Sequence, residues 1–148
     1  MKRRIIGCGN PDRGDDAAGV LVARRLQEMG CQAIEYTGDG TGLLEVWMDA
    51  AEVFLIDAVV TGAAAGAIHV WDGHKAPVEA GTLRCSTHHF GVGEALRLAT
   101  ALGRLPEKLT IYGIEGKAFG VGTEPSGEVV AAVKEVARRI AEEVKRDG

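Results

Sequence analysis

Residues 52–60 read EVFLIDAVV, the most strongly β-prone run in the chain. Its side chains are apolar on both faces until Asp57 interrupts them, the pattern of a parallel strand buried in the middle of a sheet. An ionised carboxylate in such a strand is costly to bury unless a cation or a set of donors compensates it. The run therefore marks both the centre of a sheet and a special residue within it.

Working outward toward the N-terminus, Arg3–Cys8 reads as another buried strand. It enters the stretch GCGNPDRGDDAAG, residues 7–19, and then a helix that is capped by Asp15 or Gly14, continues to Glu28 and is stopped by Gly30. A strand, a glycine turn and a helix in that order usually cradle phosphate on backbone N–H groups. Here two adjacent carboxylates, Asp15 and Asp16, would repel it. Asp12 also stands where a dinucleotide fingerprint wants its third glycine, and no Lys-Ser/Thr follows to make a P-loop. Gln32–Thr37 is a further strand candidate, followed by a glycine-rich run at 38–42 and a short helix over Leu43–Ala50.

Toward the C-terminus, Ala67–Trp71 reads as a strand and Thr82–Ser86 as a short extended segment. Gly91–Leu102 places Val92, Ala95, Leu96, Ala99 and Leu102 on one helical face, and Lys108–Ile114 is a strand after the Pro106 break. The last helix begins at Ser126, an N-cap, and carries Val129, Val133, Val136, Ile140 and Val144 on one stripe. This alternation predicts an α/β three-layer fold, a mostly parallel sheet with helices on both faces.

The 148 residues fit a single domain, 1–148, and 46% hydrophobic with 26% charged residues is an ordinary globular composition. A net charge of -4 without a dense Lys/Arg cluster argues against nucleic acid as the main ligand. No stretch approaches a membrane span and no signal peptide is evident, so a cytoplasmic protein is expected. Cys8, Cys31 and Cys85 are odd in number and widely spaced, as expected of reduced thiols and not of a structural zinc site.

Open α/β sheets bind ligands beyond the carboxyl ends of their strands, which singles out Asn10, Arg13, Asp15, Asp16, Asp57, Ser86, Thr87, His88 and His89. Asp16, Asp57 and His88 form a mixed oxygen and nitrogen set with open coordination positions, suited to nickel, zinc, manganese or iron. Blander roles compete with this. Asp57 pairs with Arg13 in one such reading, Asp16 merely favours a helix N-terminus in another, and at most one of the adjacent His88 and His89 is a ligand. Ser86 lacks a GxSxG elbow, and His69 and His74 read as structural or exposed.

Five motifs in order, GCGNPDRGDDAAGV, DGTGLL, LIDAVVTGAAAGAIHVW, STHHFGVGEAL and YGIEGKAFGVGTEPSGEV, together resemble the hydrogenase maturation proteases over nearly the whole chain. These endopeptidases remove a C-terminal extension from the large subunit of nickel-iron hydrogenases once nickel is inserted. The resemblance implies a five-stranded twisted sheet, a monomer, nickel supplied by the large-subunit precursor, and Asp16, Asp57 and His88 as its contacts. The histidine is the one in the Ser-x-His pattern, which selects His88 over His89. Asp15 is expected to support the loop of Asp16, and Gly38–Gly42 to offer flexible backbone near the cleft. The alternatives are a free-standing metallohydrolase using the same trio and a non-catalytic metal-binding module.

Overall fold

The computed structural model describes residues 2–38, 40–75 and 92–147. The expected extended segment at Thr82–Ser86, together with Cys85, His88 and His89, lies outside them. In chain order the elements are β1 (Arg3–Cys8), a 3-10 turn (Gly14–Ala17), α1 (Ala18–Glu28), β2 (Ile34–Tyr36), α2 (Gly40–Trp47), β3 (Glu52–Val59), β4 (Ile68–Asp72), α3 (Val92–Ala101), β5 (Lys108–Glu115) and α4 (Gly127–Asp147). The strands form one sheet in the order β2-β1-β3-β5-β4, in which only β4 runs antiparallel.

β3 is the central strand, buried at every position and paired along its length with β5 and along most of it with β1. The alternation of its side chains feeds two cores. Phe54, Ile56 and Ala58 face α1 and α4, where Val129, Val133, Val136 and Ile140 supply the expected stripe. Val53, Leu55 and Val59 face α2 and α3, against Leu43, Trp47, Val92, Ala95 and Ala99. Asp57 falls on this second face, between Leu55 and Val59. Leu102 does not belong to the core as expected, being 57% exposed just beyond the end of α3.

The glycine-rich run differs from its expected role as flexible backbone, because helix α2 begins within it at Gly40. A Cβ on Gly38 or Gly42 would stand 2.7 or 2.6 Å from the Tyr36 hydroxyl. Those glycines make room for the tyrosine at the end of β2.

One close approach sets the position of α1. A Cβ on Gly19 would collide with the backbone carbonyl oxygens of Cys8 and Ile56, so helix and strands touch through main chain. Gly19→Ala is therefore expected to lower the unfolding free energy by at least about 2 kcal/mol, as overpacking against backbone does. Urea denaturation of the two proteins checks this; an unchanged midpoint would contradict it.

Candidate active site at the carboxyl edge of the sheet

The chain leaves β1 in one direction, through α1 to β2, and returns through α2 to β3 on the other side of β1. The carboxyl ends of β1 and β3 therefore flank a topological switch point, the place where open α/β sheets form their ligand crevice. Asp16 sits in the 3-10 turn after β1 and Asp57 near the end of β3, and that turn packs against β3. The Gly19 contact with Cys8 and Ile56 explains the placement. It seats the start of α1 over the two strand ends, one turn after Asp16 and one residue before Asp57.

Both acids are buried, Asp57 fully and Asp16 to 5% exposure. On each of them the Oδ1 atom is buried and accepts no hydrogen bond among the described residues, while both residues keep other contacts. Oxygen donors of this type fit a divalent cation, which suits carboxylate and imidazole ligands in mixed sets. His88, the third expected contact, lies outside the described residues. Among those residues no three His, Cys, Asp or Glu side chains come together as a metal cluster. The expected alternative of an Asp57–Arg13 ion pair is not what the described residues form, since the buried Arg13 Nε has no acceptor and no salt bridge among them involves its guanidinium.

Asp15 has a different job from its neighbour. Its Oδ2 accepts the backbone N–H of Lys117 at 2.9 Å and of Ala118 at 3.0 Å, and its Oδ1 accepts the N–H of Ser126 at 2.7 Å. The Ser126 hydroxyl donates to the same carboxylate at 3.0 Å. Ser126, read as the cap of the last helix, thus spends its hydroxyl on Asp15, and the carboxylate itself stands at the start of α4, where the helix dipole favours it. Backbone bonds complete the clasp: Gly14 N–H to Thr123 O, Asp15 N–H to Ala118 O and Gly122 N–H to Asp12 O. Gly14 can join it because its φ of +55° suits glycine and a Cβ there would strike the Ala118 carbonyl.

A further buried acid, Glu115, escaped the sequence reading although it ends its strand much as Asp57 does. Its carboxylate accepts the Thr61 N–H at 2.8 Å and hydroxyl at 2.6 Å, and meets His69 Nε2 at 3.1 Å. His69 stacks on Trp71 with ring centroids 5.3 Å apart. The group pins the loop after β3 onto the end of β5. Burial pushes the Glu115 pKa up, but the Thr61 and His69 hydrogen bonds outweigh it and hold the carboxyl below its ordinary range. His69 thereby takes the structural role expected of it, and His74 Nε2 meets the Pro106 carbonyl oxygen at 2.7 Å.

With this geometry in view, the relatives of the chain are informative. The family model for hydrogenase maturation protease, HycI, matches residues 22–143. The [NiFe] hydrogenase maturation protease HybD from Thermococcus kodakarensis is 30% identical, with a TM-score of 0.74, over 97% of this chain and 99% of that one. The hydrogenase maturating endopeptidase HybD from E. coli shares the fold, with a TM-score of 0.82 at 21% identity over 100% of this chain and 94% of its own. Among curated proteins, the hydrogenase expression/formation protein HoxM of Azotobacter vinelandii is 28% identical over 93% of this chain and 69% of its own. The five-stranded, mostly parallel sheet between helices is thus the frame of a protease class. The chain belongs to the hydrogenase maturation protease family.

The Asp15 clasp generates a pH dependence. Burial pushes its pKa up, but the N–H groups of Lys117, Ser126 and Ala118 and the Ser126 hydroxyl together hold it below the usual carboxylate range. A carboxyl depressed in the folded state stabilises the fold above its unfolded pKa, and that contribution is lost as pH falls through the folded value. Asp15→Asn is expected to cost about 1–3 kcal/mol at pH 7, with the gap to wild type closing below about pH 4. Urea unfolding at both pH values checks it; a gap constant with pH would contradict it.

Proposed function

We propose that this protease removes the C-terminal extension of a nickel-iron hydrogenase large-subunit precursor after nickel insertion, with Asp16, Asp57 and His88 contacting the metal. The observation that carries the reading is the placement of Asp16 and Asp57, two buried carboxylates, at one switch-point crevice in a chain of this family. Nickel belongs to the substrate in this mechanism. An incomplete ligand set on the protease recognises metal already held by client thiolates, so cleavage is licensed only when the metal is present.

Nickel in the crevice supplies Lewis-acid chemistry, polarising the scissile carbonyl or acidifying a bound water. The chain's own part is to hold the client in register, with Asp16 and Asp57 as oxygen contacts and a carboxylate orienting the attacking water. The protein acts on the precursor as a monomer in the cytoplasm. Consistent with a non-spanning protein, no helix among the described residues is long and apolar enough to cross a membrane.

The test is processing of the precursor by single variants. Asp57→Ala is expected to abolish cleavage while leaving the fold intact, because removing a strand-end carboxylate opens no large core cavity. Asp16→Ala and His88→Ala are expected to lose cleavage and His89→Ala to keep it. Cleavage by Asp57→Ala at the wild-type rate would overturn the reading. A melted Asp57→Ala protein would assign the residue a structural role instead.

A further inference from the structure

Building on the protease reading, we propose that Arg13 binds a carboxylate in the C-terminal segment of the client precursor and so sets how the tail lies across the site. Four observations lead there. Arg13 occupies the position before the 3-10 turn, and its carbonyl accepts the Asp16 N–H at 3.0 Å, so its backbone is fixed one step from a candidate metal contact. On either side of it, Asp12 O and Gly14 N–H are bonded to Gly122 and Thr123, which leaves the side chain a rigid base. Only Gly14 and Asp15 separate Arg13 from Asp16, so the two residues belong to one short turn.

The fourth observation concerns charge. Arg13 is half-buried, its Nε is buried without an acceptor, and none of the ion pairs among the described residues includes it. Three acids, Asp12, Asp15 and Asp16, stand within three positions of it, yet none forms an ion pair with it among the described residues, and Asp15 is committed to Lys117, Ala118 and Ser126. A guanidinium cannot shed its proton, so its buried N–H gains most from an incoming anion, and the planar fork matches a carboxylate. An extended tail entering the β1/β3 crevice passes this residue, and its own carboxylates are the terminal group and any acidic side chains.

The test combines cleavage kinetics on nickel-loaded precursor with binding of a fluorescent peptide copied from the precursor's C-terminal segment. Arg13→Gln is expected to weaken peptide binding and raise KM by about tenfold or more, with little change in kcat, since a lost charge-assisted hydrogen bond is uniform binding lost. Arg13→Lys is expected to recover part of the loss. Peptides with an amidated terminus, or with Asn and Gln for their acids, separate the two sources: the one that matters loses the same factor on wild type and nothing further on Arg13→Gln.

Because the side chain bonds to nothing among the described residues, Arg13→Gln is expected to melt with wild type. Unchanged binding and KM, an equal loss for peptides of both kinds lacking the carboxylate, or a lowered melting temperature each overturns the inference while leaving the protease reading intact. A wild-type protein that cleaves no precursor overturns the protease reading. Peptide binding then decides the Arg13 assignment alone, and binding that is absent or insensitive to Arg13→Gln ends it.

Discussion

The carboxylate of Asp15 is the constraint on which the site depends. It lies in the loop after the first strand and takes three backbone N–H groups and one hydroxyl from the loop before the last helix. A buried carboxylate without donors costs several kcal/mol by burial alone, and a full set of donors turns that cost into a directional tether. The tether holds the turn carrying Arg13 and Asp16 at a fixed height over the sheet. Without it, that turn would be held by its contact with β3, the Gly19 seat and the main-chain bonds of Asp12, Gly14 and Asp15 to Gly122, Thr123 and Ala118.

The same chemistry appears again across the carboxyl edge. Glu115 fastens the loop after β3 through Thr61 and His69, so two buried acids hold the loops on either side of the crevice. At the opposite edge Glu52, also buried, is met by Arg3 at 2.9 Å, an ordinary ion pair. Those acids build the frame, whereas the Oδ1 atoms of Asp16 and Asp57 accept no hydrogen bond among the described residues, although both residues keep other contacts. In the proposed mechanism those two contact a metal that arrives with the client.

Much of this was legible in the sequence because the decisive residues are local. The run Glu52–Val59 announced the central strand by its apolar character, and Asp57 declared itself by breaking it. The stripe Val129, Val133, Val136 and Ile140 fixed the face of the last helix. The adjacent pair Asp15-Asp16 raised the question of two acids in one turn, but the division of labour between them was not readable. It depends on Lys117, Ala118 and Ser126, which only the fold brings near. Glu115 was missed for the same reason, since its partners Thr61 and His69 come from other elements. Helix α2 begins at Gly40, within the glycines read as flexible, and Gly38 and Gly42 make room for Tyr36, a contact between elements that local sequence does not display.

Whether the crevice reads the client's metal is decided most directly by cleavage of one large-subunit precursor prepared in nickel-loaded and nickel-free forms. Processing of the loaded form alone is expected, with restoration when nickel is inserted into the empty one. Equal cleavage of both would show that the crevice does not read the client's metal, and Asp16 and Asp57 would need another role.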